Sequence, residues 1–280
     1  MTFRCSPSIH YDPLNLELYM SSAPTLADLV SANADLVCAN NEEAPDEEAP
    51  VRLLYLGAGT GVWGLVFAEE HFSRSPSNAL HLTFTEVLQE GVDLCNLNAV
   101  TFQAKNPTFK FTFSSHLSDM FAGLPPETNP FNLILFNPPQ TSGPETFKSS
   151  RPDKYGGGDG TLFYERLASE SCPGTLSDGG ILCVAHIGFV DYGKLHGLLT
   201  EQVKGGGELG GGRTEGRGAV LLGEQSRTFD AVDYPPGVME RQLENRAKGK
   251  AVFEYDEGSG KGKMVQRITA FVPGRGNGLK

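Results

Sequence analysis

The sequence predicts an α/β fold in which helices cover both faces of a mostly parallel sheet. From Val51 onward, short apolar runs alternate with segments whose apolar residues recur every three to four positions, which is typical of such sheets. The first run, in LLYLGAGTGVWGL at residues 53–65, stops at three glycines and continues as a helix-like segment. A later run, FNLILFNPPQ at residues 131–140, ends in two prolines. A strand followed by a tight turn explains both endings.

The predicted elements follow one another regularly after Val51. We expect strands at residues 51–56, 81–86, 108–113, 131–136 and 181–188, and helices at residues 61–72, 88–99, 116–123, 160–170 and 191–203. Beyond them, AVLLGE, AVFEY and KMVQRITAFV predict further strands, the last two as a hairpin, and VMERQLENRAK predicts a helix. One domain over residues 51–280 accounts for these elements. The glycine-rich stretch at residues 204–218 predicts a floppy loop within it.

Residues 1–50 are predicted to form an N-terminal extension. Leu14, Leu16 and Leu18 alternate with polar residues, which indicates a short strand or an extended cover. An amphipathic helix is predicted next from the spacing of Leu26, Leu29, Val30, Leu36 and Val37. The acidic segment at residues 39–50 predicts a solvated loop, with a docking motif as the alternative.

The composition narrows the classes of function. Apolar residues make up 39% and charged residues 20% of the 280-residue chain, as in ordinary globular proteins. The net charge of −11 argues against tight, sequence-independent binding to nucleic acid, which depends on Lys and Arg. The five cysteines form no CxxC pair, so neither a disulfide framework nor a zinc site is expected. No apolar run approaches the ~20 residues that span a bilayer, and no signal-like N-terminus is present. We therefore expect a cytoplasmic protein without a membrane segment or a metal.

The glycine turn predicts a ligand site. Gly57, Gly59 and Gly61 allow positive φ angles and let a ligand approach bare backbone, and the helix that follows directs unpaired N–H groups at the same crevice. Glu86 ends the second strand, and its carboxylate could accept hydrogen bonds from both hydroxyls of a ribose. The alternative for Glu86 is an exposed residue that caps the next helix. No GxxxxGK[ST] loop is present, which argues against a nucleoside triphosphate.

Together, the glycine turn and Asn137-Pro138-Pro139 resemble S-adenosylmethionine-dependent methyltransferases, in particular the small-domain group whose catalytic loop reads Asn-Pro-Pro-aromatic. The resemblance extends over residues 51–190. It implies a Rossmann-like, doubly wound sheet of seven strands, mostly parallel with one antiparallel strand.

The same resemblance implies S-adenosyl-L-methionine as the cofactor. The glycine turn with Ala58, together with Glu86 and Asn137, would then contact the cofactor. Asp119, after the third strand, is expected either near the adenine or as an ordinary turn acid.

The diproline corner has a physical rationale for methyl transfer to nitrogen. Pro138 and Pro139 fix φ and remove two N–H donors, which leaves a rigid stretch whose carbonyls are free to accept. The Asn137 side-chain oxygen and the Pro138 carbonyl can then hold an NH₂ group with its lone pair in line for transfer. We expect Gln140 to belong to the catalytic residues with Asn137, Pro138 and Pro139. It occupies the position where N-methylating members of the family have an aromatic, and it cannot stack on a base. A protein amide, a small amine or a thioether remains as the acceptor.

The segment KYGGGDGTLFYERL at residues 154–167 is similar to the GGxDG-helix segment of release-factor glutamine methyltransferases. Asp159 within it is placed as a helix N-cap, and Tyr155 could supply an aromatic wall for an acceptor. The insertion at residues 141–153, with Lys148, Arg151 and the adjoining Lys154, could form a lid that attracts an anionic acceptor, and a solvated loop is the alternative.

The sequence therefore predicts an enzyme that moves a methyl group from S-adenosylmethionine to an amide or amine nitrogen of a protein or small-molecule acceptor. The alternative within enzymes is S-methylation of a small thioether or thiol. A further alternative is a catalytically silent partner subunit that binds the cofactor. It is favoured by Tyr55, Asn132 and Gln140, which stand where the family usually has two acids and an aromatic. His186, near the end of the fifth strand, is expected to be a satisfied core or rim histidine rather than a base.

Overall fold

The computed structural model of the chain describes residues 4–5, 13–39, 49–125, 128, 130–170, 175–201, 218–235 and 237–272. Its strands are β1 (Val51–Leu56), β2 (Ala79–Glu86), β3 (Lys110–Leu117), β4 (Phe131–Phe136), β5 (Leu176–Ile187), β6 (Gly218–Asp230), β7 (Phe253–Asp256) and β8 (Lys261–Val272). Its α-helices are α1 (Pro13–Ala39), α2 (Val62–Arg74), α3 (Gln89–Lys105), α4 (Glu145–Ser150), α5 (Leu162–Glu170), α6 (Tyr192–Glu201) and α7 (Val238–Ala247).

One sheet contains all eight of these strands. Seven lie in the order β3-β2-β1-β4-β5-β8-β6, and β7 pairs with β8 outside this path. Strands β1 to β5 pair in parallel, whereas β8 is antiparallel to β5, β6 and β7. In the described sheet, β8 therefore runs against the other strands. The predicted doubly wound, mostly parallel sheet with one antiparallel strand is confirmed, and so is the hairpin, which is formed by β7 and β8.

The sheet is packed on both faces because its central strands are apolar on both sides. Successive side chains along β1 point to opposite faces. Leu53 and Tyr55 pack with residues of α1 and α2, whereas Leu54 and Leu56 pack with residues of α5 and α6. Trp63, at the start of α2, is completely buried, as expected for a packing residue.

The N-terminal extension is helical, and the strand predicted around Leu14, Leu16 and Leu18 is wrong. Helix α1 begins at Pro13 and also contains the predicted amphipathic segment. The residues that it buries recur every three or four positions: Leu18, Tyr19, Ala23, Leu26, Ala27 and Val30. They join the same core cluster as β1 and α2. This long helical period outweighs the short alternation of three leucines, because it lets the helix bury one whole face.

The helix predicted at residues 116–123 is also wrong. Strand β3 continues to Leu117, and the chain then turns. The Ser118 hydroxyl donates to the Met120 carbonyl at 2.9 Å and accepts from the Gly123 N–H at 2.8 Å. Such bonds from a side chain to nearby backbone compete with helix formation. Met120 has a φ of 54°, which a right-handed helix does not contain.

The remaining predicted elements are present, with ends that differ from the prediction by up to six residues, and β1 and β4 have the predicted bounds. Helix α4 lies in the insertion at residues 141–153, for which the sequence predicts either a lid or a solvated loop. Strand β6 is longer than the predicted AVLLGE. Most of the acidic segment at residues 39–50 and of the glycine-rich stretch at residues 204–218 lies outside the described residues.

The described part of the chain contains neither a candidate membrane span nor a candidate metal cluster. None of its helices combines the length and apolar character needed to cross a membrane. No group of three or more His, Cys, Asp or Glu side chains in the same part is arranged to hold a metal ion.

Candidate functional site

The two segments that the sequence singles out lie at the carboxyl ends of neighbouring strands. β1 pairs with β4 in parallel, with Leu56 opposite Phe136. The next residues are Gly57 and Asn137, so the glycine turn and the diproline corner begin side by side. Open α/β sheets bind ligands beyond this edge. The structure therefore brings the predicted cofactor segment and the predicted catalytic segment together.

The glycine turn needs glycine for its backbone conformation. Gly57, Gly59 and Gly61 have φ values of 58°, 57° and 75°, a region that other residues rarely adopt. A Cβ added to Gly57 would meet no atom within 4 Å, so open space lies next to the turn. Ala58 is buried and donates its N–H to the Thr85 carbonyl at 2.9 Å, which ties the turn to β2.

Glu86 ends β2 and contacts the glycine turn. Its residue surface is only 9% exposed, and Oε2 accepts from the Gly59 N–H at 2.8 Å. Oε1 accepts from the N–H groups of Val87 at 2.8 Å and Leu88 at 3.4 Å, just before α3. Glu86 thus contacts the start of the next helix but is not the exposed residue of the alternative interpretation. A carboxylate has about four lone-pair positions, so these three bonds leave room for a ligand hydroxyl.

Three apolar side chains next to Glu86 are exposed. Val87, Leu88 and Leu117 expose 62%, 48% and 55% of their surface. Leu117 lies opposite Glu86 in the pairing of β2 with β3, so the apolar patch borders the carboxylate. An exposed apolar patch in a crevice is typical of a ligand site. The sequence pattern does not single out these residues, although two of them directly follow Glu86.

Asp119 lies after β3, and its carboxylate is already paired. The side chain is exposed, and Oδ1 accepts from Arg166 Nη1 on α5 at 2.9 Å. Arg166 also pairs with Glu170 one turn later on the same helix. This arrangement fits the turn-acid alternative, and the role of Asp119 near an adenine stays a prediction.

The orientation of the Asn137 amide follows from a chain of hydrogen bonds that starts at a backbone N–H. The Ile187 N–H can only donate, and it donates to Gln140 Oε1 at 2.8 Å. The Gln140 NH₂ group therefore faces away from Ile187 and donates to Asn137 Oδ1 at 3.0 Å. Asn137 Nδ2 in turn donates to the Tyr19 hydroxyl at 2.7 Å. The Asn137 oxygen keeps one of its two lone pairs for a further donor.

Tyr19 on α1 is a site residue that our sequence analysis missed. Its ring stacks on Trp63, with 4.7 Å between ring centroids and 6° between ring planes. The Tyr55 ring contacts Trp63 edge-on, with 5.9 Å between the ring centroids. Burial, and then the neighbouring Tyr19 hydroxyl, raise the pKa of Tyr55 well above its usual value, so the phenol stays neutral. The sequence signal that could identify Tyr19 is its position among the buried residues that recur periodically along α1.

Gln140 is buried and ties the diproline corner to β5. Besides the bonds of Gln140 to Asn137 and Ile187, its Oε1 lies 3.3 Å from the Tyr164 hydroxyl, whose single proton is donated to the Ala185 carbonyl at 2.7 Å. Nε2 also lies 3.3 Å from the Ala185 carbonyl, to which it donates. Both ends of the side-chain amide are therefore used within the protein, and Gln140 does not face an acceptor as the family's aromatic would.

The glycines at residues 154–167 allow close packing against the catalytic loop. A Cβ added to Gly156 would lie 2.5 Å from the Gln140 Cα. A Cβ added to Gly160 would lie 2.7 Å from the Gln140 carbonyl oxygen. Both distances are far below van der Waals contact, so the segment approaches the loop only because these residues lack side chains.

Two other residues of this segment have structural partners. Asp159 Oδ1 accepts from the Thr161 N–H at 3.1 Å, but α5 begins at Leu162 and its first helical bond runs from the Glu165 N–H to the Thr161 carbonyl at 2.9 Å, so Thr161 rather than the predicted Asp159 is the N-cap. Tyr155 is buried, packs on Phe147 and donates to Glu145 Oε2 at 2.7 Å. Tyr155 is therefore not the exposed aromatic wall that the sequence suggests.

His186 is a buried residue of β5 that faces β8. Its Nε2 lies 3.2 Å from Thr269 Oγ1. Burial, and then the positive charge of Arg267, lower the pKa of His186 to about 4. The imidazole is neutral near pH 7 and has a hydrogen-bond partner, as expected for a satisfied core histidine.

No protein-family model and no curated protein matches the sequence. Similar solved structures include precorrin-6Y C5,15-methyltransferase from Geobacter metallireducens GS-15, with 11% identity and a TM-score of 0.44 over 96% of this chain and 94% of that chain. TYW2 of P. horikoshii in complex with MeSAdo has 10% identity and a TM-score of 0.42, over 94% and 65% of the two chains. The delta-N METTL16 MTase domain has 9% identity and a TM-score of 0.41, over 95% and 87%. Scores of this size do not establish a function, which has to come from the geometry of the site.

Gly156→Ala is expected to destabilise the protein, because the added methyl group meets the backbone of Gln140. Overpacking of this kind costs about 1–3 kcal/mol in the free energy of unfolding. The matched control is Gly158→Ala in the same segment, where an added Cβ has no atom within 4 Å. Urea unfolding of the two variants and the wild type measures the difference. Equal free energies of unfolding for the two variants would contradict the close packing.

His186 is expected to make stability depend on pH. Its folded pKa of about 4 lies below the ordinary value of 6.5, so the unfolded chain takes up the proton first. Stability therefore falls as the pH drops from about 6.5 towards 4. The full loss is about 3 kcal/mol, since one pKa unit corresponds to ~1.4 kcal/mol. His186→Asn removes the titrating group, so its free energy of unfolding should vary less across this range. Identical pH slopes for the wild type and the variant would rule out this role.

Proposed function

We propose that this protein transfers a methyl group from S-adenosylmethionine to an amide or amine nitrogen. The observation that carries the proposal is the fixed orientation of the Asn137 side chain beside the glycine turn. Its oxygen has an unused lone pair and can accept a hydrogen bond from an N–H of the acceptor, together with the Pro138 carbonyl. Such positioning is a large part of what a transfer reaction requires.

The residues at the strand ends fit S-adenosylmethionine. The open space next to Gly57 admits a ligand close to the backbone of the turn. Glu86 retains an acceptor position for a ribose hydroxyl, and Val87 and Leu117 offer an exposed apolar surface for a flat adenine. The ligand carries no phosphate, which agrees with the absence of a phosphate-binding loop from the sequence.

S-Adenosylmethionine, when bound, supplies a methyl group whose bond to sulfur breaks as the acceptor lone pair forms the new C–N bond, and the sulfur keeps the bonding electrons. Asn137 and the Pro138 carbonyl hold the hydrogens of the acceptor nitrogen, which directs its lone pair away from them. Both oxygens also stabilise the positive charge that develops on this nitrogen. The extra proton leaves the methylated nitrogen to water, so the corner needs no side-chain base.

The geometry favours nitrogen over sulfur as the acceptor. A thioether has no hydrogen to donate to the Asn137 oxygen, and a thiol is only a weak donor. Methylation of sulfur would therefore leave the main polar feature of the corner unused.

The geometry also weakens the case for a catalytically silent subunit. Asn132, one of the residues that favour it, accepts from the Arg52 N–H at 2.8 Å near the start of β4. It lies about 16 Å along the strand from Asn137 and does not border the corner. Tyr55 belongs to the aromatic cluster around Tyr19, and Gln140 positions Asn137. All three departures from the family pattern thus have structural roles.

Asn137→Ala tests the catalytic corner. Because the variant loses the oxygen that orients the acceptor, we expect methyl transfer to fall at least about 100-fold. Affinity for S-adenosylmethionine should stay within about twofold, since the glycine turn and Glu86 are unchanged. The measurements are transfer of radioactive methyl groups into a cell extract and calorimetric titration of the cofactor. Full activity in the variant would remove Asn137 from the mechanism, and a wild type that neither binds nor transfers would defeat the proposed function.

Glu86→Gln tests the cofactor site. Loss of the charged acceptor should weaken S-adenosylmethionine binding about 10- to 100-fold, as for a lost charge-assisted hydrogen bond. Glu69→Gln, at an exposed position of α2, is the matched control and should bind like the wild type. An unchanged dissociation constant for Glu86→Gln in calorimetry would reject the ribose role.

A further inference from the structure

The Asn137 side chain is held at both ends of its amide, by residues from two different parts of the chain. Its oxygen accepts from Gln140 Nε2 at 3.0 Å, and its Nδ2 donates to the Tyr19 hydroxyl at 2.7 Å. Gln140 follows Asn137 closely in the same loop, whereas Tyr19 lies on α1, 118 positions earlier. The second contact therefore joins the N-terminal helix to the diproline corner.

Two contacts are needed to fix the plane of this amide. The last side-chain torsion of Asn has a broad, roughly two-fold preference, so it turns easily. The bond from Gln140 holds the Asn137 oxygen but lets the amide plane rotate about that bond. The bond to Tyr19 removes this freedom because it holds the nitrogen at a second point. The direction of the remaining lone pair on the Asn137 oxygen follows from both contacts together.

Tyr19 can serve as a fixed point because its own side chain is held in place. The residue is 5% exposed, and its ring stacks on the buried ring of Trp63, with 6° between the ring planes. Burial raises the pKa of Tyr55 most, and Tyr19, which also forms a hydrogen bond with Tyr55, raises it further. The Tyr19 side chain is thus held both through its ring and through its hydroxyl.

Helix α1 is packed closely on the sheet, which fixes the position of Tyr19 relative to the corner. Leu18, the residue before Tyr19, is 2% exposed and belongs to the same core cluster as β1. On β6, a Cβ added to Gly223 would lie 3.1 Å from Leu18 Cδ1, which is closer than ordinary van der Waals contact. A movement of the helix would break these contacts before the Tyr19 hydroxyl could leave Asn137.

These contacts form one chain of hydrogen bonds along the carboxyl edge of the sheet. It begins at the Ile187 N–H, at the end of β5, and continues through Gln140, Asn137, Tyr19 and Tyr55. Tyr55 lies on β1, two positions before Gly57. The chain therefore connects the diproline corner with the base of the glycine turn. Hydrogen bonds in one chain polarise one another, so the loss of one member affects its neighbours.

We propose that Tyr19 is a positioning residue for methyl transfer, because its hydroxyl fixes the amide plane of Asn137 and so directs the remaining lone pair of the oxygen at the acceptor nitrogen. This role rests on the proposed function, since it requires that Asn137 orients an acceptor. Tyr19 acts through Asn137 and takes no part in the bonds that form and break. Helix α1 is then a functional part of the site as well as a part of the core.

Tyr19→Phe removes the hydroxyl and keeps the ring that stacks on Trp63. We expect the transfer of radioactive methyl groups from S-adenosylmethionine into a cell extract to slow about 10- to 100-fold, because the acceptor is oriented less well. The apparent KM and the calorimetric dissociation constant for S-adenosylmethionine should stay within about twofold of the wild type. A hydroxyl that serves only the fold would change the free energy of unfolding and leave the transfer rate of the folded protein unchanged.

The NH₂ group of Asn137 gives a second readout, which does not depend on catalysis. Nuclear magnetic resonance identifies its signals as those that Asn137→Ala lacks. In Tyr19→Phe these signals should shift, and their protons should exchange with water about five- to tenfold faster, as expected for one lost hydrogen bond.

Tyr155→Phe is the matched control. Tyr155 is buried like Tyr19, and its hydroxyl donates to Glu145 Oε2 on α4 at 2.7 Å. The variant therefore also loses one hydrogen bond of a buried phenol, but not one to Asn137. Its transfer rate and its Asn137 signals should equal those of the wild type.

Three results would overturn the role of Tyr19 while the wild type still binds S-adenosylmethionine and transfers its methyl group. These are a wild-type transfer rate in Tyr19→Phe, unchanged Asn137 signals in that variant, and an equal loss of rate in Tyr155→Phe. Failure of the wild type to bind S-adenosylmethionine would instead count against the methyltransferase function itself.

Discussion

A single backbone donor sets the orientation of two side-chain amides in the diproline corner. The Ile187 N–H can only donate, and this decides which end of the Gln140 amide faces Asn137 and, through it, that the Asn137 oxygen faces Gln140. Reversal of both amides would present NH₂ to an acceptor N–H, and two donors cannot bond to each other. The orientation of Asn137 therefore depends on the pairing of β4 with β5, because Asn137 directly follows β4 and Ile187 ends β5.

The parts of this site that the sequence predicts are those with a local cause. Three glycines after an apolar run require a turn with positive φ, and two prolines after another run require a rigid corner. The alternation of strands and helices then places both at one edge of a parallel sheet. The terminal hairpin follows from the same patterns, whereas the seven-strand path and its antiparallel strand are implied by the family resemblance.

The parts that the sequence does not predict depend on contacts between distant residues. Tyr19 and Asn137 are 118 positions apart, and nothing near either residue reports the contact. Gln140 stands out in the sequence only as a departure from an aromatic, and its positioning role appears when β5 is in place. The helix predicted at residues 116–123 is wrong for the opposite reason, which is a local contact. There the Ser118 side chain bonds to the nearby backbone and replaces a helix that the sequence pattern favours.

The contacts of Gly156 and Gly160 limit which related sequences can form the same arrangement of this loop. A clash between two side chains can be relieved by a second substitution that makes one of them smaller. Here the obstacle is the main chain of Gln140, which every amino acid has in common, so no exchange elsewhere can make room. A homologue with any other amino acid at either position must route its loop differently, and the arrangement of its catalytic amide should not be inferred from this one.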